Sequence, residues 1–533
     1  MKNSNNNNNN NNHNNLFFYI WKSKYIKVKI LNEIMRDRNI NCTLGYIQEN
    51  HKYLNILDIY KYNIGIQVKV QIENIEEYKE FPLKNLINCL DFECNQYTSI
   101  CSKEQQLDIL ENHLPKYIRS LKGVNELLIH QGSLYDTSIE TLNVSSIKKK
   151  IQVNSLPKNL NTLKVGFYNG TFGKETLPSS LKKIEWCSGI NLDNLNKSFH
   201  LDKVESKLLM TSVFFPNISK VNNILVTSLN IQSYSIAKYP LKANIFKPSL
   251  RELGINILKA SPDSTLCCGV FPSGLVKLTL NYSQCQLKPE YFPCTLTYLE
   301  LKSYNTLLLP FILPKSLKHL ILPRYDQPLL VNSIPPFLEQ LRLDLFSQTL
   351  DAGVLPNSLT ALSLLSKPTL KKDSIPCTVK TLDLNMEVME SVSEDMESFL
   401  PCSIKTLNLN VKVKATNNLL CLSKLPKSVK SLSIKSIATL DTIGLQLPSS
   451  IASLTLHYPS TKILFSPNSL FFPVNLKKLT VSSFIADYLA LNSTLMPSTI
   501  EYLNINGESK FKPFPIPKHL KIFILNNTFQ SLK

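Results

Sequence analysis

A ten-residue pattern that returns every 20 to 25 residues limits what this chain can fold into. Residues 313–322 read LPKSLKHLIL, with FPCTLTYLEL 21 residues before and IPPFLEQLRL 21 residues after. In each copy a proline follows an apolar residue, and apolar residues stand three, six and eight positions after the proline. The matching prolines are Pro157, Pro178, Pro272, Pro293, Pro314, Pro335, Pro356, Pro376, Pro401, Pro426, Pro448, Pro473, Pro497 and Pro517. Fourteen copies predict a repeat protein.

The last two apolar positions alternate with a polar one, which places both side chains on one face of a short strand. One such strand buries little surface, but strands from successive repeats form a parallel sheet over a continuous core. Helical repeats need about 34 residues and propeller blades about 40, so both are excluded. We predict a mainly β, right-handed, leucine-rich-repeat-like solenoid of 20–25-residue repeats, preceded by a short helical N-terminal cap.

The chain divides into four segments by pattern. Residues 1–15 are nearly pure Asn and are expected to be disordered. Residues 16–60 are predicted as the helical cap, residues 61–155 as degenerate first repeats, and residues 156–533 as the solenoid, with weakened repeats at 190–260.

Composition narrows the class further. The chain is 43% hydrophobic, which is enough to bury a large core, and it has no apolar run of membrane-spanning length. No secretory signal is recognised, so we expect an intracellular, cytoplasmic protein whose 12 cysteines are reduced thiols. No cysteine spacing predicts a metal site, and no phosphate-binding loop or dinucleotide fingerprint predicts a cofactor.

Two stretches carry a second pattern upstream of the proline. RYDQPLLVNSIP (residues 324–335) and LFSQTLDAGVLP (residues 345–356) resemble the FNIP repeat, named for a Phe-Asn-Ile-Pro signature. That repeat has an aromatic-Asn-Gln-Pro-Ile stretch, a Gly and then LPxSLxxLxL. The resemblance covers about two-thirds of the chain, and its namesake half degrades after residue 370. It implies a leucine-rich-like solenoid, protein interaction and no catalytic residue.

The predicted sheet has an open face that points away from the core. The residues five, seven and nine positions after each proline should form it, and they are rich in Ser, Thr and Asn with sparse charges. Such a surface suits a polar partner. The candidate partner-binding residues are Glu300, Lys302, Arg342, Asp344, Asp383, Asn385, Asn408 and Asn410.

A polysaccharide hydrolase built on stacked strands would need two carboxylates about 5 to 9.5 Å apart. Glu300 and Asp383 lie four repeats apart, roughly 19 Å at strand spacing. Glu185 neighbours Lys164 and is expected to form an ion pair. We therefore predict no catalytic site.

Lysines recur at the fourth residue after the proline. Lys380, Lys405, Lys430 and Lys477 form a candidate anion-facing column, and the first three are in consecutive repeats. The simpler interpretation is a solvated turn position, where the apolar stems of the lysine side chains lie along the protein surface and their charges stay in water. The alternative is a ridge that binds acidic protein, phosphoinositide or RNA. No aromatic residue is interleaved for base stacking, so nucleic acid is not favoured.

The two ends of the chain leave further alternatives open. A basic amphipathic helix predicted from Leu16 could cap the solenoid, dock a partner or lie on a membrane. At the other end, Ile522 and Ile524 stand where most repeats have polar residues. Either the tail with Phe529 folds back over them, or the last strand is an edge open to another chain.

The sequence therefore predicts a non-catalytic protein-interaction scaffold whose partner is a protein. A substrate-recognition adaptor of a ubiquitin ligase is the alternative, and a carbohydrate-active enzyme is the third hypothesis.

Overall fold

The computed structural model describes part of the chain, and every structural statement below refers to that part. The described residues are 32, 35–37, 39–59, 61–70, 74–92, 102–124, 134–144, 147, 150–166, 168, 171–173, 175–186, 204–210, 225–235, 241, 243–258, 268–281, 286–385, 399–411, 422, 424–436, 445–457, 470–483, 485–486, 496–506, 520, 522–525 and 528–529. Most of the helix predicted from Leu16 lies outside them.

One large parallel sheet dominates the structure, as the repeat pattern predicts. Its strands are β1 (Asn39–Asn41), β2 (Gly65–Lys69), β3 (Cys89–Asp91), β4 (Ser120–Val124), β5 (Thr141–Val144), β6 (Thr162–Val165), β7 (Lys183–Trp186), β8 (Glu205–Met210), β9 (Leu225–Ser235), β10 (Glu252–Leu258), β11 (Lys277–Asn281), β12 (Tyr298–Leu301), β13 (His319–Ile321), β14 (Gln340–Leu343), β16 (Ala361–Leu364), β18 (Thr381–Asn385), β19 (Thr406–Val411), β20 (Ser431–Ser436), β22 (Ser453–His457), β24 (Lys478–Ser482), β25 (Tyr502–Asn506), β26 (Ile522–Leu525) and β27 (Thr528–Phe529). Each strand pairs with the next in this order.

Two small parallel sheets join neighbouring coils on the opposite side of the solenoid, a coil being one repeat. They consist of β15 (Thr349–Leu350) with β17 (Thr369–Leu370), and of β21 (Leu445–Gln446) with β23 (Leu470–Phe471). The described helices are α1 (Leu44–Leu54), α2 (Ile75–Glu80) and α3 (Lys103–Asn112), with short 3₁₀ turns at Lys84–Leu86 and Pro289–Tyr291. All three α-helices therefore belong to the first coils.

Helix α3 begins at a capping box that the sequence analysis did not recognise. The Ser102 hydroxyl accepts a hydrogen bond from the Gln105 backbone N–H, and the Gln105 side chain accepts one from the Ser102 N–H. The Ser-x-x-Gln spacing could have predicted this start.

The core is a column of leucines in register, one from each coil. From β11 onward Leu278, Leu299, Leu320, Leu341, Leu362, Leu382, Leu407, Leu432, Leu454, Leu479 and Leu503 pair directly across successive strands. The apolar residues three, six and eight positions after the proline are buried for every repeat proline from Pro157 to Pro497. The predicted solenoid and its shared core are confirmed.

The proline opens a turn that leads into each strand. In the repeat of Pro314, the Leu317 backbone N–H donates to the Pro314 carbonyl at 3.1 Å, and the same bond recurs at the other described repeats. The hydroxyl residue just before that leucine links the coil to the preceding one. Ser316 donates to the Leu296 carbonyl, Ser358 to Leu338, Thr378 to Leu359 and Ser403 to Val379, at 2.6 to 2.8 Å. The Ser of LPxSL therefore joins neighbouring coils.

The residue three positions before the proline has a left-handed backbone. Its φ is positive in seven repeats: Asn154, Glu175, Gly269, Phe311, Asn332, Gly353 and Asp373. Glycine adopts this conformation without steric cost. The glycine that precedes LP in the FNIP pattern is explained by this turn.

The two ends of the sheet meet. Strand β27 pairs antiparallel with β26, with Phe529 opposite Ile524, so the tail folds back along the last strand. Residues of β27 also lie within 8 Å of β1, measured between Cα atoms. Residues 39–41, from the region predicted as a cap, are thus the first strand of a solenoid that closes on itself.

Closure decides which side of the sheet faces the centre. In a closed ring the inner wall has the shorter circumference, so the part of each coil with the smallest spacing to the next coil lies there. Hydrogen-bonded strands are about 4.8 Å apart, and the connections on the other side of each coil cannot lie closer than that. The sheet must therefore form the inner wall, with its open face toward the centre. At that spacing, 23 strands give a circumference of about 110 Å and a diameter between opposing backbones of about 35 Å.

Candidate functional site

The open face carries a line of charged residues at the seventh position after the proline. Strand register aligns Glu300, Ile321, Arg342, Ser363 and Asp383 on five consecutive strands. Two carboxylates therefore flank one guanidinium, each two strand steps from it, or about 10 Å. Glu300 and Asp383 are four steps apart, which is too far for a paired-carboxylate hydrolysis site.

Arg342 is held by the carboxylate of Asp344 on the same strand. Its Nε and one terminal nitrogen donate to the two Asp344 oxygens at 2.7 and 2.9 Å. This bidentate bond, together with Asp383 and Glu300, raises the pKa of Arg342 above its usual value. The guanidinium is fixed in place and half-exposed.

The flanking carboxylates are held by neutral donors. Glu300 accepts from the Thr279 hydroxyl at 3.3 Å and the Tyr298 hydroxyl at 3.4 Å. Asp383 accepts from the Asn408 amide at 2.5 Å. With Asp344, three carboxylates lie around one guanidinium on this part of the face.

A cavity of about 250 Å³ lies over this part of the face. Tyr298 and His319 stand side by side at one end, with ring centroids 6.0 Å apart, and Lys277 lies over the Tyr298 ring at 4.7 Å. The lining residues are Tyr298, His319, Leu320, Ile321, Gln340, Leu341, Arg342, Ala361, Leu362, Ser363, Thr381 and Asp383. The sequence placed Arg342 and Asp383 on this face together with the fifth position after each proline, but Tyr298 and His319 were not singled out, because the candidates were chosen from the seventh and ninth positions.

Most of the other candidate residues also reach this face. Lys302 is exposed, and Asn408 and Asn410 are partly exposed. Asn385 differs, because it is buried with 5% of its surface accessible. Unlike its equivalents, Asn385 does not present an exposed side chain to a partner, so its place on the exposed surface was predicted wrongly.

The predicted lysines occupy the rim where the strands begin. Lys380, Lys405, Lys430 and Lys477 are exposed, and a coil with Ala452 separates the last from the first three. Elsewhere on the face, Lys164 pairs with Glu185 at 2.7 Å, as expected, and Lys183 pairs with the same carboxylate.

Three further features bear on function within the described residues, namely metal sites, paired cysteines and membrane-spanning helices. These residues contain no group of three or more His, Cys, Asp or Glu side chains able to hold a metal ion. Cys294, Cys377 and Cys402 are free and exposed at the corners after their prolines. Within the described part of the chain, no helix has the length and apolar character needed to cross a membrane.

The aromatic position of the second pattern forms a stack behind the sheet. Tyr304, Tyr325 and Phe346 lie nearly parallel on successive coils, with centroids 6.2 and 6.5 Å apart, and all three are buried. The Tyr325 hydroxyl donates to the Pro328 carbonyl at 3.2 Å and accepts from the Leu308 N–H at 3.4 Å. The aromatic position therefore joins successive coils.

Comparison with known families agrees with this geometry. A sequence model of the FNIP Repeat matches residues 282–324 and 325–367. The chain carries FNIP repeats in this stretch, where the aromatic stack lies. The predicted resemblance was wider, because it also counted the LPxSLxxLxL half across residues 156–525.

Several solved structures are similar at low identity. They include CroV588, titled a novel circular LRR protein (18% identity, 92% of this chain and 76% of that chain, TM-score 0.38). YopM from Yersinia enterocolitica WA-314 has 14% identity over 90% of this chain and 99% of that chain, with TM-score 0.30. A chain of the Drosophila Toll–Spatzle complex has 13% identity over 83% and 84%, with TM-score 0.33. The fold assignment rests instead on strand register and buried leucines. No curated protein matches the sequence.

Proposed function

We propose that the protein is a non-catalytic interaction scaffold that binds another protein through its open sheet face. The observation that carries this proposal is the cavity over β12 to β18, where fixed charges and an aromatic pair lie on a rigid sheet. Side chains held on strands lose little conformational freedom on binding, which favours recognition. The exposed thiols of Cys377 and Cys402 would stay reduced in the cytoplasm, where we place the protein.

The charge pattern favours a partner with basic groups. Glu300 and Asp383 lie on either side of an Arg342 that Asp344 already neutralises. A partner that places Lys or Arg side chains about 20 Å apart could meet both carboxylates. The rings of Tyr298 and His319 lie beside Glu300 and add flat surface for contact.

Affinity capture from cell extract with matched variants of the full chain tests the proposal. The open-face variant E300Q/D383N removes two charges and keeps side-chain size. The control D136N/D351N removes two charges elsewhere, from Asp136 and Asp351, which form exposed ion pairs. A protein that wild type and control retain, and the open-face variant loses, supports the proposal. Equal recovery on all three would contradict it.

The ubiquitin-ligase adaptor hypothesis makes a further prediction in the same experiment. Strands β1 to β3 are continuous with the rest of the sheet, so residues 16–110 are not expected to fold as a separate module. The adaptor role therefore requires ligase subunits among the proteins that the full chain retains. Their absence from the retained set would remove this hypothesis and leave the scaffold proposal intact.

A further inference from the structure

Three exposed lysines stand in a fixed row on the rim where strands begin. We call Lys380, Lys405 and Lys430 the lysine rim. The Lys405 and Thr406 backbone N–H groups both donate to the Lys380 carbonyl, at 2.8 and 3.0 Å, and the Lys430 N–H donates to the Lys405 carbonyl at 2.9 Å. These bonds hold the three backbones at strand spacing, about 4.8 Å per step.

Within the described residues, the rim lysines lack the ion pairs that three lysines on other coils form. Lys318 pairs with Glu339 at 2.9 Å, Lys371 with Asp351 at 2.5 Å, and Lys477 with Glu501 at 3.6 Å. Among the ion pairs of the described residues, none includes a rim lysine.

A row of like charges at strand spacing opposes sheet formation. Like charges directly opposite on neighbouring strands are destabilising, although exposure and salt keep the effect small. Lys427, which is also exposed, stands at the corner of the same coil as Lys430. A ligand that supplies negative charge along the row would offset this repulsion.

We propose that the lysine rim binds an acidic helical segment of a partner protein. On a helix, residues three and four apart lie about 5 to 6 Å from each other, close to the strand spacing. A helix with Glu or Asp at such intervals, lying across the strands, can therefore place one carboxylate beside each lysine. This surface is separate from the open-face cavity and goes beyond the function proposed above.

The residues around the rim favour an acidic protein over other anions. Single-stranded nucleic acid binding uses aromatic side chains for base stacking. The corner residues beside the rim are instead Cys377, Cys402 and Lys427. A membrane surface would call for large apolar side chains that insert beside the lysines, and these corner positions supply none.

The probe for the test is an alanine-based helical peptide with Glu at i, i+4, i+7 and i+11, and the matched control peptide has Gln at those positions. The rim variant of the full-length protein is K380Q/K405Q/K430Q. The control variant K288Q/K315Q/K372Q removes the same net charge from Lys288, Lys315 and Lys372, which are exposed on other parts of the solenoid. Circular dichroism checks that both variants fold.

The proposal predicts that wild type and the control variant bind the Glu peptide alike at low salt. The rim variant should bind about tenfold more weakly, the sum of three exposed ion pairs. Wild-type binding should also weaken with salt more steeply than that of the rim variant. The Gln peptide should bind none of them measurably.

Three outcomes would overturn the proposal. The first is equal affinity of the rim variant and wild type for the Glu peptide. The second is that the rim substitutions weaken binding to phosphatidylserine vesicles or to polyuridylate more than they weaken binding to the Glu peptide. The third concerns residues 386–398, which lie outside the described residues and contain Glu387, Glu390, Glu394, Asp395 and Glu397. If changing these five to Gln or Asn makes the peptide bind more tightly, the rim serves the chain's own acidic segment rather than a partner.

Discussion

The carboxylate of Asp326 accepts a hydrogen bond from the backbone N–H of Ser347 on the next coil, with 2.7 Å between oxygen and nitrogen. The Ser347 hydroxyl and the Gln348 amide donate to the same carboxylate. One coil earlier, the Asn305 side-chain oxygen accepts from the Asp326 backbone N–H at 2.8 Å. An Asn or Asp directly after the stacked aromatic residue therefore links successive FNIP repeats.

Replacing Asp326 with Ala should lower the free energy of unfolding by about 1 to 2 kcal/mol, because the donors of Ser347 and Gln348 lose a charged acceptor. D326N should retain much of the stability, since its amide oxygen can still accept. Urea denaturation measures the difference, and D136A, at an exposed ion pair, should change stability by less than about 0.5 kcal/mol. Equal stability of D326A and D136A would contradict the linking role.

Phe311 has a φ of +61° at the turn before its proline, and its side chain is 71% exposed. Phe311→Gly should therefore stabilise the protein by about 0.5 to 1 kcal/mol, because little burial is lost and the left-handed strain disappears. At the equivalent Gly353, an added Cβ would meet no atom within 4 Å. Gly353→Ala should nonetheless destabilise by about 1 kcal/mol from its backbone angle alone. Thermal unfolding of both variants checks these opposite signs.

His457 should contribute a pH dependence to stability. Burial, and then the neighbouring Lys435 on the adjacent strand, lower the pKa of His457 below 6.5. A lowered folded-state pKa means that the stability is fully present above pH about 6.5 and is lost as pH falls through the folded-state value. NMR titration of the imidazole should show the lowered pKa, and K435Q should raise it. A His457 pKa at or above 6.5 in the wild-type protein would contradict the inference that burial disfavours the protonated imidazole.

The meeting of β1 and β27 can be tested by a short cross-link. With the native cysteines other than the buried Cys42 and Cys89 changed to Ser, the pair N41C/T528C should react with a short bismaleimide within one molecule. Peptide mass spectrometry should identify the linked pair in the monomer fraction. The pair T141C/T528C, which joins β5 to β27, is the matched control and should not link. Linking only between molecules would show that the solenoid is open.

The periodicity of the sequence was enough to predict the solenoid, because the column of buried leucines requires only the regular spacing of three apolar positions after each proline. It also placed Lys380, Lys405 and Lys430 on neighbouring strands, since a short-range pattern fixes their register. The closure of the solenoid could not be predicted from the sequence. It depends on the total of many small rotations between neighbouring strands, and no single residue determines that total. The link from Asp326 to Ser347 was missed because its acceptor and donor belong to different repeats. The burial of Asn385 was missed because strand alternation ends there, with Leu384 and Asn385 both buried.

Site-specific photo-cross-linking tests the open-face account most directly. A benzoylphenylalanine at Gln340 would stand on the exposed open face beside the cavity, and one at Val331, which is 59% exposed, would stand on the back of a neighbouring coil. The account predicts a covalent adduct with one partner protein from position 340, absent from position 331 and suppressed by E300Q/D383N. The same adduct formed from position 331, and not from position 340, would contradict it.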